Sequence, residues 1–140
     1  MNHKMPRSLV IGTIAAVPLM AQAENLTGTE RFLCTSTEVT RCEAFRGCDS
    51  GPPSLWNMAP AIQVDLAKKT LSTPPASGQQ RSSPFTHLTR DSGRIFIQGM
   101  ENGRVFSLVI AEDTGLASFA LALDGTTISV FGACTPAPRT

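Results

Sequence analysis

Four cysteines and one histidine beyond residue 23 are the side chains of this 140-residue chain with the most chemistry to offer. Cys34, Cys42, Cys48 and Cys134 are separated by seven, five and 85 residues. A structural zinc site would show close CxxC-type pairs, and these gaps do not supply them. An even cysteine count in an exported chain instead predicts two disulfides. His87 could join Asp65 or Asp91 in a Ser-His-Asp arrangement, but no Gly-x-Ser-x-Gly elbow names the serine. A histidine metal site would lack a second histidine there. Glu112 with Asp113, Asp91 and Asp124 are carboxylates of the kind glycoside hydrolysis pairs, yet all precede glycines in turn motifs, where backbone preference alone accounts for them. There is no tyrosine, no phosphate loop, no dinucleotide fingerprint and no calcium loop. The reading is of a non-enzymatic domain with no catalytic residue, no metal ligand and no cofactor.

The cysteine argument depends on export, and the first residues supply it. Lys4 and Arg7 precede an apolar run from Leu9 to Met20, followed by small residues at Ala21 and Ala23. This is the pattern of a secretory signal peptide over 1–23 with cleavage after Ala23, and Pro18 ends any helix just ahead of that site. The apolar run falls short of the roughly 20 residues a membrane anchor needs, so no transmembrane segment is expected after cleavage. Two of the twelve basic residues leave with the leader, and ten remain against eleven acidic ones. A near-neutral domain without a basic run lacks the electrostatic footprint of a nucleic-acid binder. The expected location is periplasmic or secreted, in one domain spanning 24–140.

Period-two alternation places these residues on strands. From Gly93 to Cys134 four apolar segments are joined by Glu101-Asn102-Gly103, Glu112-Asp113-Thr114-Gly115 and Asp124-Gly125, which reads as a β-meander. In it Phe106, Leu108 and Ile110 oppose Val105 and Val109, a two-sided apolar pattern that predicts a central or doubly covered strand. Ala117, Phe119, Leu121 and Leu123 share one face, as do Ile128, Val130, Gly132 and Cys134. Upstream, Arg31–Ser36 is a strand with Phe32 and Cys34 inward. Residues 38–53, which lose the period and end in Gly-Pro-Pro, read as a disulfide-stapled loop, with room for one helical turn at 43–46. Residues 24–30 read as a loose lead-in carrying the pattern of a glycosylation sequon at Asn25. Residues 61–73 form a hairpin turning at Lys68-Lys69, and 74–83 an exposed loop long enough to be mobile. Phe85 and His87 are expected on one face of the strand that follows.

The fold class is therefore all-β: an antiparallel meander curled into a small barrel or half-barrel and stapled by disulfides. Curling brings first and last strands together, so Cys34 would bond Cys134 and Cys42 would bond Cys48; the alternative is Cys34 with Cys48 and Cys42 with Cys134. The stretch VIAEDTGLASFALALDGTTISVFGAC resembles the C-terminal hairpins of small uncharacterised exported bacterial β proteins, which end in a Thr-Gly turn, a strand, a second turn and Gly-x-Cys. The layout is also similar to that of the C-type lysozyme inhibitors, small exported barrels whose terminal cysteines tie the ends. That family's inhibitory loop, with its Ser and Lys positions, has no counterpart here, so the likeness implies architecture and not activity. A binding or interaction module is expected, taking a protein or envelope component through its loops. Trp56, Arg81 in the 74–83 loop and His87 are the candidate contact residues, and Trp56 alternatively plugs one end of the core. A small apolar-ligand carrier is the other reading, although the inner face looks filled by Phe, Leu, Ile and Val.

Overall fold

A computed structural model describes residues 24–138, so the leader read over 1–23 lies outside the described residues. Among the described residues ten strands form one antiparallel sheet: β1 (Arg31–Glu43), β2 (Gly47–Gly51), β3 (Ala61–Asp65), β4 (Thr70–Ser72), β5 (Ser82–Pro84), β6 (His87–Asp91), β7 (Arg94–Glu101), β8 (Arg104–Ala111), β9 (Leu116–Leu123) and β10 (Thr126–Pro136). Their spatial order is β5-β4-β3-β1-β10-β9-β8-β7-β6, with β2 alongside the far half of β1. The meander is β6 to β10. Two of its hairpins turn on residue pairs that both take positive φ, Ser92-Gly93 at 50° and 72° and Asn102-Gly103 at 50° and 75°. That backbone matches the twist of the flanking strands, which is why such pairs make tight hairpins.

The sheet curls until its two ends are the same stretch of chain. β5 and β6 are separated only by Phe85 and Thr86. Phe85 N donates to Lys69 O on the β3–β4 hairpin (3.0 Å), and Thr86 N donates to Gln98 O on β7 (3.0 Å). Within one residue the chain passes from one edge of the sheet to the other. Glycine at position 99 permits the approach, because a Cβ there would lie 2.9 Å from Pro84 O and run into the Phe106 ring. This change of partner corrects the expected strand face: Phe85 is buried, but His87, two positions on, is exposed.

On the opposite wall, β1 pairs β10 over its whole length, and Cys34 faces Cys134 in register. The two form a disulfide, as do Cys42 and Cys48, which face each other between β1 and β2. Residues 38–53 are thus mostly hairpin and not loop, and Glu43–Arg46 makes its turn without a helical turn. The missing period has a cause. The register slips between Ser36 and Glu38, a β-bulge at Thr37 that moves the inward face from even positions (Phe32, Cys34) to odd ones (Val39, Arg41). Thr37 Oγ1 fastens the bulge to Phe131 O at 3.0 Å. Across from it Gly132 has no Cβ to collide with the Thr35 carbonyl.

The core fills one end of the curled sheet with Leu26, Phe32, Leu66, Phe85, Ile95, Ile97 and Ile110. Leu26 belongs to the segment expected to be a loose lead-in, yet it is 0% exposed. Its N–H donates to Glu112 O at 2.6 Å, and Arg90 reaches both Thr29 O and the Glu112 carboxylate. The lead-in is a cap, drawn in because the curled sheet would otherwise leave an apolar end in water. β8 is central, as expected, but among the described residues nothing covers Val105 on its outer face, which is 51% exposed, and Met100 on the neighbouring β7 is also exposed.

Candidate functional site

The end opposite the Leu26 cap is open. β1, β7 and β9 finish there and β8 and β10 begin there, while the 3₁₀ helix Pro53–Trp56 and the 74–83 loop stand over it. Beneath them lies a cavity of about 420 Å³, within the range of small-molecule sites. Its walls are the inward-facing residues that alternation assigns to the core: Phe106 and Leu108 on β8, Phe119 and Leu121 on β9, Ile128 and Val130 on β10. The expectation of a filled inner face holds only for the capped end. At the open end no segment equivalent to Leu26 enters the sheet among the described residues. The Cys34–Cys134 disulfide sits at the bottom of the cavity, where Cys34 is part of the wall.

Polar side chains gather at the mouth. Arg41 faces inward only because of the bulge at Thr37. Its Nη2 pairs with the Glu43 carboxylate, which also takes Arg46 Nη1 at 3.5 Å. Arg41 Nε is buried and has no hydrogen-bond partner among the described residues. A buried guanidinium N–H without an acceptor is costly, by about 1–3 kcal/mol. Glu101, at the end of β7, accepts a hydrogen bond from Ser83 Oγ and thereby ties β5 to β7. Arg104 follows across the hairpin turn. Among the described residues neither Arg81 nor Arg104 has a carboxylate partner.

Of the three expected contact residues, the structure brings two together. Trp56 is half-buried in the wall of the mouth, so it borders the cavity and does not plug the core. Arg81 is exposed beside it, and its Nη1 donates to Asn57 O at 3.4 Å. His87 lies elsewhere, exposed on β6, with Nδ1 sharing a hydrogen bond with Thr86 Oγ1 at 2.9 Å. The carboxylates considered with it are otherwise engaged: Asp65 accepts from Lys68 N at 2.9 Å and pairs with Arg31, and Asp91 accepts from Ser92 Oγ at 3.1 Å. The 74–83 loop is internally bonded. Thr73 N donates to Arg81 O at 2.9 Å, Thr73 Oγ1 accepts from Arg81 N at 3.0 Å, and Ser77 Oγ donates to Pro74 O at 2.7 Å around a short 3₁₀ turn.

Sequence reasoning missed Arg41, Glu101 and Arg104. Arg41 sits where the period breaks, and the other two flank a turn dipeptide that explains itself by backbone preference. The signal that could have found Arg41 is parity: counted back from Cys42 it shares a face with Val39. The Phe45 side chain at the tip of the β1–β2 hairpin is fully exposed, and Leu55 on the 3₁₀ helix Pro53–Trp56 is 62% exposed. Among the described residues no cluster of three or more His, Cys, Asp or Glu could hold a metal, and no helix is long and apolar enough to cross a membrane. No family model, curated protein or solved structure matches the chain.

Proposed function

We propose that this is a non-enzymatic binding domain, exported to the periplasm or the extracellular space, that takes a small apolar ligand into the open end of its curled sheet. One observation carries the reading: the inner face is packed solid at the capped end and encloses an apolar-walled cavity of about 420 Å³ at the other. Folding a sheet around space leaves apolar side chains short of packing partners, and a ligand supplies them. Two disulfides fit an oxidising compartment, and the leader pattern of residues 1–23 supports export. Native mass spectrometry of protein purified from its own compartment tests this. The expected result is a retained small molecule that disappears when Leu121→Trp fills the cavity; a clean mass for both proteins after incubation with apolar extract would overturn it. A second reading has its own support. Phe45 on the β1–β2 turn and Leu55 on the 3₁₀ helix are exposed at the open end, placed to contact a protein or envelope component while the cavity holds part of it.

A further inference from the structure

The cavity is layered along its depth. Where the strands reach the mouth, their lining residues are Thr126 on β10, Leu123 on β9, Arg104 on β8 and Glu101 on β7. One step deeper Arg41 on β1 is in register with Ile128, in a row with Leu121 and Phe106, while Ser83 on β5 faces Leu71; below that row the walls are apolar, with Val130, Phe119 and Leu108. Arg81 adds a third guanidinium from the loop above, and among the described residues the lining holds a single carboxylate, Glu101, which accepts from Ser83 Oγ. The Glu43 carboxylate pairs with Arg41 through Nη2 and is shared with Arg46, leaving the buried Nε without an acceptor among the described residues. A site that is apolar below and cationic above, with an orphaned buried donor at the boundary, is complementary to a ligand that is apolar at one end and brings an anionic acceptor at the other.

We infer that the cavity takes a single-chain amphiphile with an anionic head, its alkyl chain lying against Leu108, Phe119 and Val130 and its head at Arg41 Nε and Arg104. A carboxylate and a phosphate monoester share the required chemistry: each accepts hydrogen bonds from guanidinium groups and carries the charge the rim lacks. This assignment rests on the binding reading above and adds the head group to it. A neutral head would leave the rim uncompensated, and a cationic one would add to three arginines.

Calorimetric titration of the oxidised protein with dodecanoate, dodecyl phosphate, dodecanol and dodecylamine, each below its micellar concentration, tests the assignment. The expected result is one-to-one binding of the anions about tenfold tighter than dodecanol, with the amine weakest, since a charge-assisted hydrogen bond made in place of an unpaired donor is worth about that factor. The tighter of the two anions identifies the head as carboxylate or phosphate. Arg41→Met and, separately, Arg104→Met should bring the anions down to the level of dodecanol; dodecanol binding by each variant shows that its cavity is intact. Equal affinity for dodecanol and the anions, or a preference that survives both substitutions, overturns the anionic head and leaves the cavity reading standing. Failure of all four to bind removes both.

Discussion

Leu26 shows how much a single residue can close. It lies in a polar stretch, ENLTGTE, and yet has no exposed surface. Its burial ends the core at one end of the curled sheet, and its neighbours hold it there by Leu26 N to Glu112 O and Thr29 N to Leu26 O hydrogen bonds. Leu26→Ala is expected to destabilise the domain by about 2–5 kcal/mol, the range for truncating a fully buried leucine. Urea denaturation measures it; a loss below about 1 kcal/mol would mean that the lead-in is dispensable and the cap is elsewhere. Arg41 is the counterpart at the open end. Its side chain is half-buried at the mouth, where Glu43 compensates part of its charge, and its buried Nε is without a partner among the described residues.

At the scale of elements, β1 decides the architecture. Its first half pairs β3 on one side and β10 on the other, and its second half exchanges β3 for β2. The two disulfides both anchor this strand and differ in what they close. Cys34–Cys134 joins residues 100 apart in sequence, and Cys42–Cys48 joins residues six apart. In the chain-entropy account the first restricts the unfolded chain by about 4 to 5 kcal/mol and the second by about 2 kcal/mol. Replacing Cys34 and Cys134 together by alanine should therefore lower stability about twice as much as replacing Cys42 and Cys48, read from the denaturant midpoint at unchanged slope. Equal losses would show that the closure of the sheet is held by its β1–β10 ladder and not by the bond. Strand pairing itself was legible where apolar alternation meets a tight turn, as in β7 to β10. It was not legible in 38–53, because the bulge at Thr37 shifts the inward face by one position and the residues that then face inward include Arg41 and Glu43, which read as solvent-facing.

For the whole molecule, the same sheet is a packed core at one end and a container at the other. The alternation of Phe106, Leu108, Leu121 and Ile128 correctly assigned these residues to the inner face, but alternation reports direction and not distance across the interior. Whether opposing walls touch depends on the curl, which is set by the passage of the chain from β5 to β6 at Phe85-Thr86 and by the cap at Leu26. Both features come from polar or irregular stretches with no periodic signature. The mouth was legible only in part for a related reason: its side chains come from β1, β5, β7 to β10, the 3₁₀ helix and the 74–83 loop, so that nothing in the local sequence of any one of them marks a site. Trp56 and Arg81 were recoverable as a conspicuous aromatic and a loop cation, while His87 was set apart by the change of sheet edge two residues before it.

The cavity is the centre of this account, and uptake of a neutral, environment-sensitive naphthylamine dye measures it most directly. Titrated into the oxidised protein, the dye should show a saturable, one-to-one gain in fluorescence, and Leu121→Trp should abolish that gain while the protein still melts cooperatively. Absence of saturable uptake by the unmodified protein, or equal uptake by the cavity-filling variant, would contradict it.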